Sequence, residues 1–206
     1  MTTPRHASVR RDTSETRLAV ELVLDGSGKA DIRTGLPFFD HMLTLFARHS
    51  LIDLTISAEG DLEVDSHHTV EDTGIVLGQA LHRALADRAG IVRYGAFLLP
   101  MDETLARVAL DFSGRPLLVY RLPDDILSQA NRLVSGRHFN FQLVEEFLRA
   151  FTTHAGLTLH VEILYGRDPH HLAEAIFKAL ARAIDAAVRI DPRSPDRVPS
   201  TKGTLV

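Results

Sequence analysis

The sequence of 206 residues contains no cysteine. This absence excludes disulfide bonds and thiolate metal sites, and it leaves histidine and carboxylate side chains as the available metal ligands. No apolar run approaches the roughly 20 residues that a membrane helix needs. Residues 1–12 are basic but lack an apolar stretch, so they do not resemble a secretory signal. We therefore expect a soluble, cytoplasmic protein.

An excess of positive charge is also missing. The chain has 23 Lys and Arg against 27 Asp and Glu, for a net charge of −4, and it has no long basic run. Nothing in this balance indicates nucleic acid or an anionic membrane as a partner. The length suits one compact domain or two small fused ones, and 45% hydrophobic residues are enough for a core.

Histidine is the residue type whose arrangement stands out, because two short segments look like copies of each other. These segments are His67-His68-Thr69-Val70-Glu71-Asp72 and His170-His171-Leu172-Ala173-Glu174-Ala175. Each opens a run of apolar residues at helical spacing, so the first His and the Glu of each segment share a helix face. The two adjacent histidines point about 100° apart and would rarely bind the same ion.

Two imidazoles and one carboxylate, present twice, favour two metal sites over one. A single His-His pair would more often be a polar helix start that faces water, and the duplication is what favours metal binding. His41, on a helix before the first segment, follows Asp40, which could orient its ring. The residue that matches His41 in the second half is Glu146, which is also a possible ligand.

Hydrophobic periodicity predicts alternating strands and helices. In the first half we predict a strand at 18–24 with a hairpin partner at 29–33, a helix at 38–49, strands near 54–56 and at 61–65, and a helix from the first His-His segment to about 87. In the second half we predict strands at 105–112 and 116–120, a loop at 122–136, a helix at 139–151, a strand at 157–164, and a helix to about 190. The tail, residues 191–206, contains three prolines and should lack regular structure.

The two halves also match outside the His-His segments. Asp40-His41-Met42-Leu43 aligns without gaps to Glu145-Glu146-Phe147-Leu148. We expect an α+β protein made of two similar halves, each a β-sheet backed by two helices. The half-repeats would be residues 1–92 and 93–190, and residues 191–206 would form a tail that contributes to the site.

Cationic and hydroxyl side chains far apart in the chain offer what a phosphate group needs. Guanidinium groups supply a planar fork, an ammonium a point charge and a serine a further donor. These candidates are Arg93, Arg115, Ser200 and Lys202. Each is a weak signal alone, because isolated basic residues are usually solvated.

Several motifs together strongly resemble the imidazoleglycerol-phosphate dehydratase family, over residues 13–203. They are Phe38-Phe39-Asp40-His41-Met42-Leu43, the segment 65–72, the segment 170–178, and Pro199-Ser200-Thr201-Lys202-Gly203. The resemblance implies a duplicated fold, two Mn²⁺ per active site, and a homo-oligomer of 24 subunits with shared sites. It also implies substrate contacts by Glu15, Arg93, Arg115, Ser200 and Lys202. With the candidates above, the expected metal ligands are His41, His67, His68, Glu71, Glu146, His170, His171 and Glu174.

One position departs from the family pattern, since relatives carry a metal-binding histidine where this chain has Glu146. Glutamate can bind manganese through oxygen, or water can take the place of the lost ligand. The segment from Arg121 to Gly136 also looks longer than the usual link, and we assign it no function.

The reaction that the resemblance implies is the conversion of imidazoleglycerol phosphate to imidazoleacetol phosphate and water in histidine biosynthesis. Metals on both ring nitrogens would favour an imidazolate that expels hydroxide from the adjacent carbon. Glu15 is the first acid–base candidate, followed by Glu71 and Glu174. The alternatives are a dinuclear metallohydrolase acting on a small phosphorylated substrate and a non-catalytic metal-binding protein. The last of these would not need the cationic residues.

Overall fold

The protein is described by a computed structural model that covers residues 5–128, 133–135 and 139–205. The helices in these residues are α1 (Pro37–Ser50), α2 (His67–Leu85), α3 (Asp124–Leu127), α4 (Gln142–Ala155) and α5 (Pro169–Val188). The strands are β1 (His6–Asp12), β2 (Thr16–Val23), β3 (Ala30–Arg33), β4 (Asp53–Gly60), β5 (Tyr94–Met101), β6 (Thr104–Asp111), β7 (Leu117–Arg121), β8 (Leu133–Ser135), β9 (Phe139–Asn140) and β10 (Thr158–Tyr165). Within the described residues, no helix combines the length and apolar character needed to cross a membrane.

Two four-stranded sheets share one strand arrangement. Their orders are β1-β2-β4-β3 and β5-β6-β10-β7. In each sheet the last strand pairs in parallel and the other pairs are antiparallel. Residues alternate between buried and exposed along β2 and β4 because successive side chains point to opposite faces of a sheet. One face of each sheet is therefore available to pack on helices.

The helices pair across the two halves, α1 with α5 and α2 with α4. Helix α2 also packs on β1 and β2, and α5 packs on β5 and β6. Glycine lets α2 approach α4 closely, because a Cβ added at Gly74 or Gly78 would lie 2.7 Å from the carbonyl oxygen of Phe147 or Phe151. Gly74 faces Phe147 and Gly78 faces Phe151, so residue numbers rise together along both helices and α2 and α4 run in the same direction. The N-terminus of α2, with the first His-His segment, thus lies beside the N-terminus of α4.

Phenylalanine rings fill the space between the helices. Phe147 of α4 stacks on Phe177 of α5 at 5.2 Å between centroids and meets Phe39 of α1 edge to face at 5.5 Å. Each ring is fully buried, and such pairs contribute about 0.5–1.5 kcal/mol beyond the burial of their area. This packing holds the ends of three helices that carry candidate ligands.

The predicted α+β architecture, with a sheet and two helices in each half, is confirmed, but the predicted hairpin is wrong. Strand β3 pairs in parallel with β4, not with β2. The carboxylate of Asp53 explains the difference, because its Oδ1 accepts hydrogen bonds from the backbone N–H groups of Ser27 and Lys29 at 2.7 and 2.9 Å. These bonds tie the turn to the start of β4, so the chain crosses β4 and β3 pairs on its far side.

The strand predicted at residues 61–65 is also wrong, since this segment is a turn closed by a bond from Val64 N to Asp61 O. Four strands were not predicted: β1, β5, β8 within the predicted loop, and β9 at the start of the predicted helix 139–151. Strand β1 buries only Ala7 and Val9 well, so its alternation is short. Strand β5 contains Gly95, which weakens the strand pattern but allows close approach to α5, where an added Cβ would lie 1.8 Å from the Ala183 carbonyl oxygen.

The long segment at 121–136 is not wholly irregular, because it contains α3 and β8. Residues 129–132 and 136 lie outside the described residues. The tail agrees with its prediction, since residues 191–205 form neither helix nor strand.

Candidate active site

The N-termini of α1 and α5 bring together three of the predicted metal ligands. One donor atom from each of His41, His170 and Glu174 lies within 4.8 Å of the other two. His170 Nε2 is 3.2 Å and His41 Nε2 is 3.7 Å from Glu174 Oε2. Two imidazoles and a carboxylate oxygen converging in this way form a donor set suited to a divalent transition metal.

Glu174 is buried, with 7% of its surface exposed, although the two histidines beside it are half exposed. Burial disfavours its charge, but the hydrogen bond and charge of Lys178 and the bond to His170 outweigh that effect and lower the pKa of Glu174. Lys178 Nζ contacts Oε1, whereas both imidazoles lie on the side of Oε2. One oxygen of the ionised carboxylate is therefore directed at the position an ion would take.

An aspartate precedes each His-His segment and fixes the start of its helix. Asp168 Oδ1 accepts a hydrogen bond from His170 N at 2.8 Å, and Asp65 Oδ1 accepts one from His67 N at 2.7 Å. Such bonds satisfy backbone donors that the first helical turn leaves unpaired. The histidines are thus held in the first turn of α2 and of α5.

Adjacent histidines diverge, as the helical spacing predicts. The rings of His67 and His68 are 6.2 Å apart at 86°, and those of His170 and His171 are 6.0 Å apart at 85°. The second histidine of each pair therefore faces different neighbours from the first.

Those neighbours are carboxylates that contact Nδ1 of each second histidine. His68 Nδ1 lies 3.0 Å from Asp61 Oδ2, and His171 Nδ1 lies 2.7 Å from Glu103 Oε2. These hydrogen bonds raise the pKa of His68 and of His171. A proton held on Nδ1 leaves Nε2 as the metal-binding atom, which is the usual arrangement in carboxylate–histidine–metal sites.

A further carboxylate lies near each of these Nε2 atoms. Glu15 Oε1 is 3.9 Å from His68 Nε2, and Asp102 Oδ2 is 3.6 Å from His171 Nε2. The bond from His171 and one from the backbone N–H of Asp168 lower the pKa of Glu103 to about 2. Glu103 is therefore fully ionised at neutral pH and orients His171 as a hydrogen-bond acceptor.

The first His-His segment forms a looser arrangement than the second. His67 Nε2 lies 3.7 Å from Glu71 Oε2. Glu146 and His67 both line a cavity of about 640 Å³ between α2 and α4. Among the described residues, however, only His41, His170 and Glu174 form a group of three donors within 4.8 Å. The structure thus places Glu146 near the first segment but not in a closed donor set.

A second cavity, of about 660 Å³, is lined by every residue predicted to hold a phosphate group. Those residues are Arg93, Arg115, Ser200 and Lys202. Arg197, which the sequence did not single out, lines it as well. Several positive charges around one cavity produce a potential that attracts an anion.

Arg93 is held firmly in this cavity. Its Nε and Nη2 donate to the two oxygens of Asp111 at 2.7 and 3.0 Å, and its Nη1 donates to the Pro199 carbonyl oxygen at 2.7 Å. A guanidinium group has five N–H donors, so two remain for an anion. The bonds to Asp111 raise the pKa of Arg93 further, which keeps it charged.

The family is decided by comparison with known proteins. The model of the imidazoleglycerol-phosphate dehydratase family matches residues 34–184. The chain belongs to this family. A dehydratase of that name from Methylorubrum populi is 57% identical over 201 residues, which cover 98% of this chain and all of the relative. One from Cereibacter sphaeroides is 55% identical over the same share of both chains.

Solved structures agree with this membership. The imidazoleglycerol-phosphate dehydratase of Staphylococcus aureus has a TM-score of 0.77 and 40% identity, covering 90% of this chain and 99% of its own. The Pyrococcus furiosus protein, solved in complex with (S)-C348, has a TM-score of 0.78 and 35% identity, covering 96% of this chain and all of its own. The chain is accordingly a lyase of histidine biosynthesis with a group of residues able to bind metal.

The candidate residues of this family member fall into separate clusters within the chain. The second His-His segment joins His41, the first faces Glu146, and the cationic residues line their own cavity. In the part of the chain that the structure describes, Glu15 lies beside His68. The roles of all these residues remain predictions.

Sequence reasoning missed the carboxylates that orient His68 and His171. Asp61 was assigned to a strand, and Glu103 was not singled out. A signal for Glu103 was present, because Glu15-Thr16 and Glu103-Thr104 are matching pairs at the start of β2 and β6. Asp61 has no such counterpart, and only the turn after β4 brings it to His68.

Proposed function

We propose that this chain dehydrates imidazoleglycerol phosphate to imidazoleacetol phosphate, as a carbon–oxygen lyase of histidine biosynthesis. The observation that carries the proposal is the group formed by His41, His170 and Glu174, whose donors lie within 4.8 Å in a chain of this family. The cytoplasmic location expected from the sequence belongs to the same proposal.

Two Mn²⁺ ions per active site are part of the proposal. The donors fit such ions, because they are imidazoles and carboxylates, and because Asp61 and Glu103 leave Nε2 of His68 and His171 available to bind. One ion would be held by the group of His41, His170 and Glu174, and the other by His67, Glu71 and Glu146. When bound, manganese supplies Lewis acidity to the nitrogens of the substrate imidazole.

The position of the remaining histidines supports a proposal of sites shared between subunits. His68 and His171 carry oriented rings, yet neither joins a group of three close donors among the described residues. We propose that each completes a metal site together with a neighbouring subunit in a homo-oligomer of 24 subunits. This arrangement accounts for well-oriented but incomplete ligand sets in a single protomer.

Substrate binding and proton transfer are assigned to other side chains of this protein. The cationic cavity would bind the phosphate group and place the imidazole end of the substrate. The hydroxyl next to the ring must leave, and the following carbon must lose a proton to give an enol that becomes the ketone. Glu15 is half exposed and 3.9 Å from His68 Nε2, so it is suited to accept or donate that proton. Glu71 and Glu174 are the other carboxylates available for proton transfer.

A product assay separates this function from its alternatives. Purified protein with manganese and imidazoleglycerol phosphate should yield a ketone and no inorganic phosphate. Release of phosphate would instead identify a dinuclear hydrolase, and metal binding without turnover would identify a storage protein.

The division of the chain is also a proposal. Residues 1–92 and 93–190 would be the half-repeats, and residues 191–206 a tail that contributes to the site. It is supported by the matching strand orders of the two sheets and by the tail residues that line the cationic cavity.

Lys202→Ala should raise KM for the substrate and leave kcat nearly unchanged. The ammonium group lines the cationic cavity, and a charge-assisted hydrogen bond contributes about 1.5–3 kcal/mol, or about 10- to 150-fold in KM. Steady-state kinetics measure the change. Arg193→Ala is the control, because Arg193 is an exposed tail residue paired with Asp191. An unchanged KM in Lys202→Ala would remove this lysine from the phosphate site.

Glu146→Gln should weaken metal binding about 10-fold or more if the carboxylate is a ligand. The substitution keeps the size of the side chain and removes its charge. Glu145→Gln is the matched control, since Glu145 is the adjacent residue and is paired with Arg149. Calorimetric titration of manganese into both variants decides the role. Equal affinity and stoichiometry would mean that water completes the site in place of the family's histidine.

A further inference from the structure

The tail docks against the segment that follows α2 through backbone hydrogen bonds. Gly90 N donates to Arg197 O at 2.9 Å, and Asp191 N donates to Gly90 O at 2.8 Å. Gly90 has a φ of +72°, and an added Cβ would lie 2.0 Å from the Pro195 carbonyl oxygen. The tail is therefore held in one path without being a helix or a strand.

Two arginines contact the tail on either side of the residues proposed to bind phosphate. Arg93 Nη1 donates to the Pro199 carbonyl oxygen at 2.7 Å, and Arg88 Nη1 donates to the Leu205 carbonyl oxygen at 3.2 Å. Residues 200–204, with Lys202 at their centre, lie between these two contacts. Both ends of the phosphate-binding segment are thus attached to the same stretch of chain.

The buried position and backbone conformation of Arg88 are energetically unfavourable, which indicates that this residue serves a function other than stability. It is 3% exposed and has a φ of 63°, a left-handed conformation that non-glycine residues seldom adopt. The contacts of its guanidinium with described residues are to the carbonyl oxygens of Phe112, Ala155 and Leu205 and to Nδ1 of His82, and none of these is a carboxylate. Burial lowers the pKa of Arg88, and the charge of nearby Asp111 offsets this only in part. A buried cation whose hydrogen bonds do not include a carboxylate is unfavourable.

We propose that Arg88 is a positioning residue for substrate binding. By fixing the Leu205 carbonyl, it holds residues 200–204 so that Ser200 and Lys202 face Arg93 and Arg115 across the cationic cavity. This inference rests on the proposed phosphate site. Through its bonds to Phe112 and Ala155, Arg88 also connects that segment to the residue after β6 and to the last residue of α4, so the tail takes its position from the core.

Deleting residues 205 and 206 tests the contact without touching the other partners of Arg88. Loss of the hydrogen bond from Arg88, together with the buried Leu205 side chain, should raise KM for the substrate about five-fold or more and leave kcat within about two-fold. Trypsin should also cleave faster after Arg197, because the tail would leave its docked path more often. Leu205→Ala is the matched control: it removes most of the buried side chain and keeps the carbonyl, so its KM should stay clearly below that of the deletion.

Arg88→Met supplies the second half of a double-variant cycle. If Arg88 acts on KM through Leu205, the deletion should add little to the KM of Arg88→Met, and thermal unfolding of each variant shows whether the fold is retained. Additive increases would overturn the inference, as would a KM in Leu205→Ala as high as in the deletion. An unchanged KM in the deletion, together with a raised KM in Lys202→Ala, would refute the role of Arg88 and leave the proposed function intact. Unchanged KM in both would refute the phosphate site and this inference with it.

Discussion

Chelation of divalent metal should abolish dehydration, and added Mn²⁺ should restore it. The proposed chemistry needs Lewis acidity at the imidazole, and no cysteine is present to hold a metal more tightly than histidine and carboxylate do. In the metal-free protein, the carboxylate of Glu174 would still contact Lys178 and His170. The fold of each protomer should therefore survive while activity falls to background.

In this experiment, elemental analysis measures the metal content, ketone formation measures the activity, and light scattering measures the size of the assembly. Because His68 and His171 are proposed to complete sites with neighbouring subunits, the assembly should loosen as metal is removed. Full turnover in a preparation shown to be metal-free would refute the metal requirement. An intact large particle without metal would argue against shared sites and leave metal binding itself in place.

Glu174→Gln should lower kcat about 100-fold or more, together with manganese affinity. Glu174 is the buried member of the group of three donors, and its Oε2 is the atom that both His41 and His170 approach. Loss of a ligand should exceed the 10- to 100-fold effect of disturbing residues around a metal. The amide keeps the volume and can still accept a hydrogen bond from Lys178, so packing should change little.

Glu162→Gln is the control for this substitution, because Glu162 is a partly exposed residue of β10 paired with Arg107. Manganese content and thermal unfolding are measured on both variants beside kcat. If Glu174→Gln binds manganese as the unchanged protein does, Glu174 is not a ligand. If it binds normally but turns over slowly, its role is proton transfer.

Local patterns explain why much of the candidate site was predictable. The four-residue spacing of His170 and Glu174 places them on one helix face whatever surrounds the helix, and the structure has them 3.2 Å apart. The same rule separates the two rings of each adjacent histidine pair. The gap-free match of His41 with Glu146 likewise pointed to equivalent places on α1 and α4.

Long-range contacts explain what was missed. The tie from Asp53 to the turn at Ser27 decides that β3 joins β4, and Gly95 lies within β5 because Ala183 is close to it. Neither contact changes the hydrophobic periodicity or the turn composition of the sequence near these residues, so neither could be predicted from it. The carboxylates of Asp61 and Glu103 became partners of histidine only through the turns in which they lie.

The sequence by itself determined the helices that carry ligands, the face that each His-Glu pair occupies, and the family. These properties depend on spacing along a helix and on residue identity, and both are local. Tertiary structure alone decided that His41 reaches Glu174, that Arg93, Arg115 and Lys202 surround one cavity, and that Arg88 reaches Leu205. The physical reason is that these contacts are set by packing between distant segments, chiefly α1 on α5 and the tail on the segment after α2, and packing depends on the whole core.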